Sequence, residues 1–143
     1  MNLRNFDLFD NLQLDGRWVL LVNIAVECDY TPQLEDLQLL YQQLPRNRFE
    51  IITFATDIFR QNPGSLEDTR LFCQKEYNTT FPIIDKIDQD NALWQALEKQ
   101  PPPPATSWNF QKWLFDTQGR YLRRYSSDSP VKEIHQVLTR FMV

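Results

Sequence analysis

Apolar and polar positions change period several times along the chain, and each change marks an element. Trp18-Val19-Leu20-Leu21-Val22 is a continuous apolar run that predicts a fully buried strand over roughly 18–24. From Thr31 to about Leu44, the residues Leu34, Leu37, Leu40, Tyr41 and Leu44 recur at helical spacing, and Pro45 helps to end the stretch. Phe49-Glu50-Ile51-Ile52-Thr53-Phe54 is β-branched and aromatic and predicts a second strand. Strand, helix and strand at this spacing form a right-handed crossover between parallel strands.

Asn62-Pro63-Gly64 is a turn signal, and Ser65 with Asp68 three residues on forms a capping box. The helix that starts there carries Leu66, Leu71, Phe72, Cys73 and Tyr77. Phe81-Pro82-Ile83-Ile84 reads as a short edge strand, because Pro82 removes a ladder donor. Asn91–Lys99 reads as helix, and Pro101–Pro104 as a stiff polyproline spacer. Phe110–Asp116 and Tyr121–Tyr125 flank Thr117-Gln118-Gly119-Arg120 as a hairpin. Pro130 opens a last helix whose expected buried face is Ile134, Val137, Leu138 and Phe141. This order predicts one α/β domain over 1–143 with a thioredoxin-like fold, a central mixed β-sheet flanked by helices.

Composition narrows the function classes. The chain has 143 residues, 42% of them hydrophobic, with 4 Trp, 5 Tyr and 10 Phe, enough for a core without covalent staples. A net charge of −4 and the lack of a basic run argue against nucleic acid and against an anionic membrane surface. No segment is apolar enough to span a bilayer, and the first residues carry no apolar signal core, so no membrane insertion and a cytoplasmic location are expected. One histidine and two widely separated cysteines match no metal-ligand spacing.

The candidate chemistry centres on Cys28, between the first strand and the helix start. Thr31 suits an N-cap and Pro32 a first helical position. A helix N-terminus aimed at a sulfur favours the thiolate, which is the nucleophile. Glu27 and Asp29 oppose that effect unless their carboxylates point into water.

Four segments resemble the glutathione peroxidase family. They are Asn23-Ile24-Ala25-Val26-Glu27-Cys28, Asn62-Pro63-Gly64-Ser65, Phe81-Pro82-Ile83-Ile84-Asp85-Lys86-Ile87, and Trp108-Asn109-Phe110-Gln111-Lys112 with Leu114. The resemblance runs from about Asp15 to Ile134. It implies that Cys28 is a peroxidatic cysteine that reduces hydrogen peroxide or organic hydroperoxides. Trp108 and Asn109 are then its hydrogen-bond donors, thioredoxin or glutathione its reductant, and no cofactor is needed. The short connector before Trp108 resembles family members that lack a long oligomerisation loop, which implies a monomer. Ile58 stands where the family has a third donor, a glutamine, and Gln61 is the candidate substitute if a loop one residue shorter brings it round. Cys73 is either a resolving cysteine or a small buried hydrophobe. The departures Val26, Glu27, Asp29 and Ile58 also fit an alternative, a weakened member acting as a binding module or redox sensor.

Overall fold

β1 (Trp18–Ile24) is the centre of a five-stranded sheet in the computed structural model, which describes residues 1–142. The strand order is β3 (Ile83–Ile87), β2 (Phe49–Thr56), β1, β4 (Lys112–Phe115), β5 (Tyr121–Tyr125). β1–β2 and β2–β3 pair in parallel, whereas β4 joins β1 and β5 antiparallel, so the sheet is mixed. β2 is buried along its whole length and β1 everywhere but Trp18, as continuous apolar runs require when both faces of the sheet are covered.

The alternation of side chains splits the core in two. Leu20, Val22, Ile24, Phe49, Ile51 and Leu114 face α2 (Gln33–Gln43), α3 (Leu66–Tyr77) and α5 (Val131–Phe141). Val19, Leu21, Ile52, Phe54 and Trp113 face the short α1 (Asp7–Asn11) and α4 (Ala92–Glu98). α3 starts as expected, with Ser65 and Asp68 in a reciprocal capping box. Gly119, at φ +80°, closes the β4–β5 hairpin, and a Cβ there would sit 2.9 Å from the Phe9 ring and 3.0 Å from Asn2 Oδ1. The hairpin turn is thus pressed onto the N-terminal segment.

Three expectations need correction. α2 begins at Gln33 rather than Thr31, because the Thr31 hydroxyl is bonded elsewhere, as described below. The third strand runs Ile83–Ile87, not 81–84: Pro82 contributes only its carbonyl, which accepts from Thr53 N–H at 2.9 Å. Phe141 is half-exposed instead of buried and stacks on Trp18 with centroids 5.0 Å apart. Leu71 is also largely exposed on α3. The N-terminal turn Leu3–Asn5 and α1 carry too short a pattern to register in the sequence, yet Leu3 and Phe9 are core residues.

Lys112 on β4 is fully buried, and its ammonium donates to the carbonyls of Ser127 and Ser129 at 3.0 Å each and of Ser126 at 3.4 Å. Three acceptors match the three donors of an ammonium. Burial nevertheless pushes the group down to about 7, against the opposing pull of Asp128 and Glu133. Burial alone pushes the Cys73 thiol up from 9.0 to about 12. Burial likewise takes Tyr41 and Tyr121 to about 12.

Between pH 7 and 9 the unfolded chain therefore holds a proton on Lys112 that the folded chain has released, so stability rises with pH. Above pH 9 the unfolded thiol of Cys73 loses a proton that the folded one keeps, and above 10 the tyrosines do the same, which reverses the trend. We expect chemical denaturation to show stability climbing from pH 7 to 9, at up to about 1.4 kcal/mol per pH unit. Lys112→Met removes that climb. An equal climb in the variant would show that another group titrates there.

Candidate active site

Parallel strands β1 and β2 both end at the same edge of the sheet, and the loops that follow them meet the segment preceding β4. Cys28 lies in the loop after β1, only 7% exposed. Thr31 shapes that loop: its Oγ1 accepts from Cys28 N–H at 3.0 Å and donates to the Ala25 carbonyl at 2.8 Å. Thr31 N–H returns to the Cys28 carbonyl at 3.0 Å. Tyr30 N–H points at Cys28 Sγ at 3.4 Å, the one hydrogen bond to this sulfur among the described residues. Gln33 N–H bonds the Tyr30 carbonyl and Leu34 N–H the Thr31 carbonyl, so the chain winds directly from the sulfur into α2. The sulfur sits where a helix begins, and a backbone donor faces it.

Glu27 and Asp29 are exposed, and among the described residues neither has a cation within ion-pair distance. Their charges are turned towards water, where screening weakens their opposition to a thiolate.

The loop after β2 holds the Cys28 loop from the other side. Glu27 N–H donates to the Gln61 carbonyl at 2.9 Å and Val26 N–H to Asn62 Oδ1 at 3.0 Å. Asn62 is fully buried, and its Nδ2 donates to Thr69 Oγ1 on α3 at 3.0 Å. The turn signal at 62–64 points to this segment, but reading Asn62 as a turn former overlooks its amide, which bridges two backbone segments.

The third wall is Trp108–Gln111, which hangs from Asn23 at the end of β1. Asn23 Nδ2 donates to the Trp108 carbonyl at 2.9 Å, Asn23 Oδ1 accepts from Gln111 N–H at 2.9 Å, and the Asn23 carbonyl accepts from Phe110 N–H at 2.6 Å. Phe110 adopts φ +64°, unusual for a bulky residue, and is fully buried. Strain of roughly 1–3 kcal/mol is expected for such a conformation. Three hydrogen bonds at about 1 kcal/mol each offset it.

Asn109 is fully buried and donates through Nδ2 to Gln61 Oε1 at 3.1 Å, which leaves the Gln61 amide nitrogen free to donate. Asn109 Oδ1 has no partner among the described residues. The Trp108 ring packs on Phe59, centroids 5.2 Å apart, and against the apolar cluster that contains Cys28. A cavity of about 490 Å³ is lined by Asp29, Tyr30, Thr106, Trp108, Ser127 and Asp128, among others; it adjoins the Cys28 loop through Asp29 and Tyr30, and neither Cys28 nor Asn109 lines it. Lys112 underlies its wall through the carbonyls at 126–129. Ile58 faces away, against the cluster on the α4 side. Arg60 lines a larger cavity of about 700 Å³ with Asp57, Lys86 and Asp88, which includes none of Cys28, Trp108 and Asn109. Cys73 belongs to the same apolar cluster as Cys28, and both thiols are free.

The comparisons with known proteins agree with this architecture. The family model described as "Glutathione peroxidase" matches residues 3–97. The glutathione peroxidase-like peroxiredoxin HYR1 of Saccharomyces cerevisiae is 40% identical over 124 residues, covering 80% of this chain and 76% of that protein. A crystal structure described as "Trgpx in apo form" superposes with a TM-score of 0.68 at 25% identity, covering 92% of this chain and 84% of the other. A thioredoxin family protein of Chlorobium tepidum TLS, a thiol:disulfide interchange protein, gives the same TM-score at 9% identity and shows the fold alone, with 91% and 83% covered.

Removing the Asn62 side chain leaves Val26 N–H and Thr69 Oγ1 without this partner. Asn62→Ala should cost about 2–4 kcal/mol on that account. It should also speed iodoacetamide labelling of Cys28. Unchanged stability and labelling would show that the bridge does not hold the loop.

Proposed function

Since the chain belongs to the glutathione peroxidase family, we propose that it is a thiol-dependent peroxidase in which Cys28 is the attacking nucleophile. The observation that carries this reading is the sulfur itself: a thiol at a strand-to-helix loop, facing a backbone N–H, in a loop braced by the Gln61 carbonyl, whose residue's amide pairs with Asn109.

In the first step the Cys28 thiolate attacks one peroxide oxygen. The O–O bond breaks, the sulfur becomes a sulfenic acid, and the leaving alkoxide or hydroxide takes a proton to become alcohol or water. Donors near the sulfur stabilise the negative charge as it moves to the leaving oxygen. The Gln61 amide nitrogen and the Trp108 indole N–H take that part, and the contact from Asn109 Nδ2 holds Gln61 in place. Gln61 thereby replaces the amide that Ile58 cannot supply. In the second step a thiol condenses with the sulfenic acid, giving a disulfide and water, and a further thiol reduces that disulfide.

The second-step thiol belongs to a protein of thioredoxin type. Two features support that choice over glutathione: Asp29 and Asp128 on the cavity wall disfavour an anionic tripeptide, and among the described residues no lysine or arginine lines the cavity to hold its carboxylates. The short connector between α4 and β4 supports a monomer. Cys73 acts as core: it is inaccessible, and burial holds its thiol protonated.

Peroxide consumption coupled to thioredoxin and its reductase should proceed with the wild type and vanish in Cys28→Ser. Cys73→Ser should keep at least half of the activity. Absence of peroxide-dependent turnover with both thioredoxin and glutathione would refute the reading. At neutral pH iodoacetamide should label Cys28 first, and Cys73 only at the rate of global unfolding. Equal labelling of both would contradict the assigned roles.

A further inference from the structure

Between β5, α4 and the segment that carries Trp108 lies a largely buried ionic network that the proposed chemistry does not use. Arg124 on β5 is 4% exposed. Its Nη2 donates to Glu98 Oε2 at 2.7 Å and to Gln111 Oε1, and its Nη1 donates to the carbonyls of Glu98 and Gln100 at 3.0 and 3.1 Å. The guanidinium also lies over the Trp113 ring, 5.1 Å from the centroid. The circuit closes through the segment that carries Trp108. Gln111 Nε2 donates to the Trp108 carbonyl at 2.7 Å and to Ser107 Oγ at 3.2 Å, and Ser107 Oγ–H donates to Glu98 Oε1.

Two features make this more than a fold-stabilising ion pair. A buried ion pair alone is weak evidence of stabilisation, because desolvation consumes most of the Coulombic gain. Moreover, the circuit fastens the residues on both sides of Trp108 and Asn109. Ser107 and Gln111 are its members, and the Trp108 carbonyl is the acceptor shared by Gln111 and Asn23. The network reaches neither Val26–Thr31 nor Asn62, which hold the sulfur. The network therefore bears directly on the Trp108–Asn109 half of the site, which meets the sulfur's half through Asn23 and Gln61.

We propose that Gln111, fixed by the Arg124–Glu98 pair, is a positioning residue that sets Trp108 and Asn109 against Cys28 and thereby sets the rate of Cys28 oxidation. The inference rests on the peroxidase reading. It makes one distinctive demand: loosening the network slows reaction with peroxide without changing the intrinsic reactivity of the thiol.

The test measures, on the full chain, the second-order rate constant for Cys28 oxidation by hydrogen peroxide and, separately, its alkylation by iodoacetamide. Gln111→Met removes the donor to Trp108 and the acceptor for Arg124. Gln111→Glu keeps the acceptor, and so the pairing with Arg124, but loses the donor. Both should slow oxidation, roughly ten- to a hundred-fold as expected for misplacement by about 1 Å, while alkylation stays within two-fold of wild type. Ser107→Ala, a milder change, should slow oxidation less, with alkylation again unchanged, and provides the reading if a Gln111 variant does not fold. Oxidation within two-fold of wild type in the Gln111 variants would overturn the proposal. So would a parallel loss of oxidation and alkylation, or a Gln111→Glu variant that behaves as wild type, which would assign Gln111 only to satisfying Arg124. If wild-type Cys28 does not react with peroxide at all, the peroxidase reading fails instead, a result distinct from each of these.

Discussion

The amide of Asn23 is the constraint on which the rest of the site depends. It stands at the end of the central strand, fully buried, and spends its side chain on two backbone groups of a segment more than 80 positions away. A buried polar side chain is tolerated only when its donors and acceptors are matched, and here the match is made by a chain segment in an unusual conformation. Phe110 accepts a left-handed backbone because the three bonds to Asn23 are worth about what the strain costs. Since the same strand leads directly into the Cys28 loop, one residue ties that loop to the Trp108–Gln111 segment.

The site follows a division of labour between backbone and side chain. The sulfur faces a backbone N–H, and its loop is shaped by a threonine hydroxyl and an asparagine amide. The opposite wall, Trp108–Gln111, is tied to α4 and β5 through Gln111 and the Arg124–Glu98 pair. The exposed Glu27 and Asp29 sit beside the sulfur in sequence, but they face water and bear on what approaches the thiol rather than on how it is held.

Much of the fold was legible in the sequence because its signals are local. The continuous runs at 18–24 and 49–54, the Ser65–Asp68 box and the glycine turn at 119 each report on a few neighbouring residues. The errors arose where a residue has two possible partners. Thr31 is a good helix cap by type, but its hydroxyl serves Cys28 and Ala25 instead. Phe141 continues an apolar stripe, but at the last residue of α5 its ring stays half-exposed and stacks on Trp18. The positions of Cys28, Trp108 and Asn109 could be inferred from a family resemblance. The contact between Asn109 and Gln61 depended on how a shortened loop closes, which no local pattern encodes. Asn62 and Arg124 were invisible for a similar reason: their importance comes entirely from partners distant in sequence.

The Asn62 bridge joins the loop of one cysteine to the helix of the other, through Val26 on one side and Thr69 on the other. Thr69 lies one turn before Cys73 on the buried face of α3. A shift of α3 therefore bears on the Cys28 loop at Val26, while the Glu27–Gln61 contact and the Thr31 bonds hold the rest of that loop. The two cysteine-bearing elements share a side chain between them but no bond between their sulfurs.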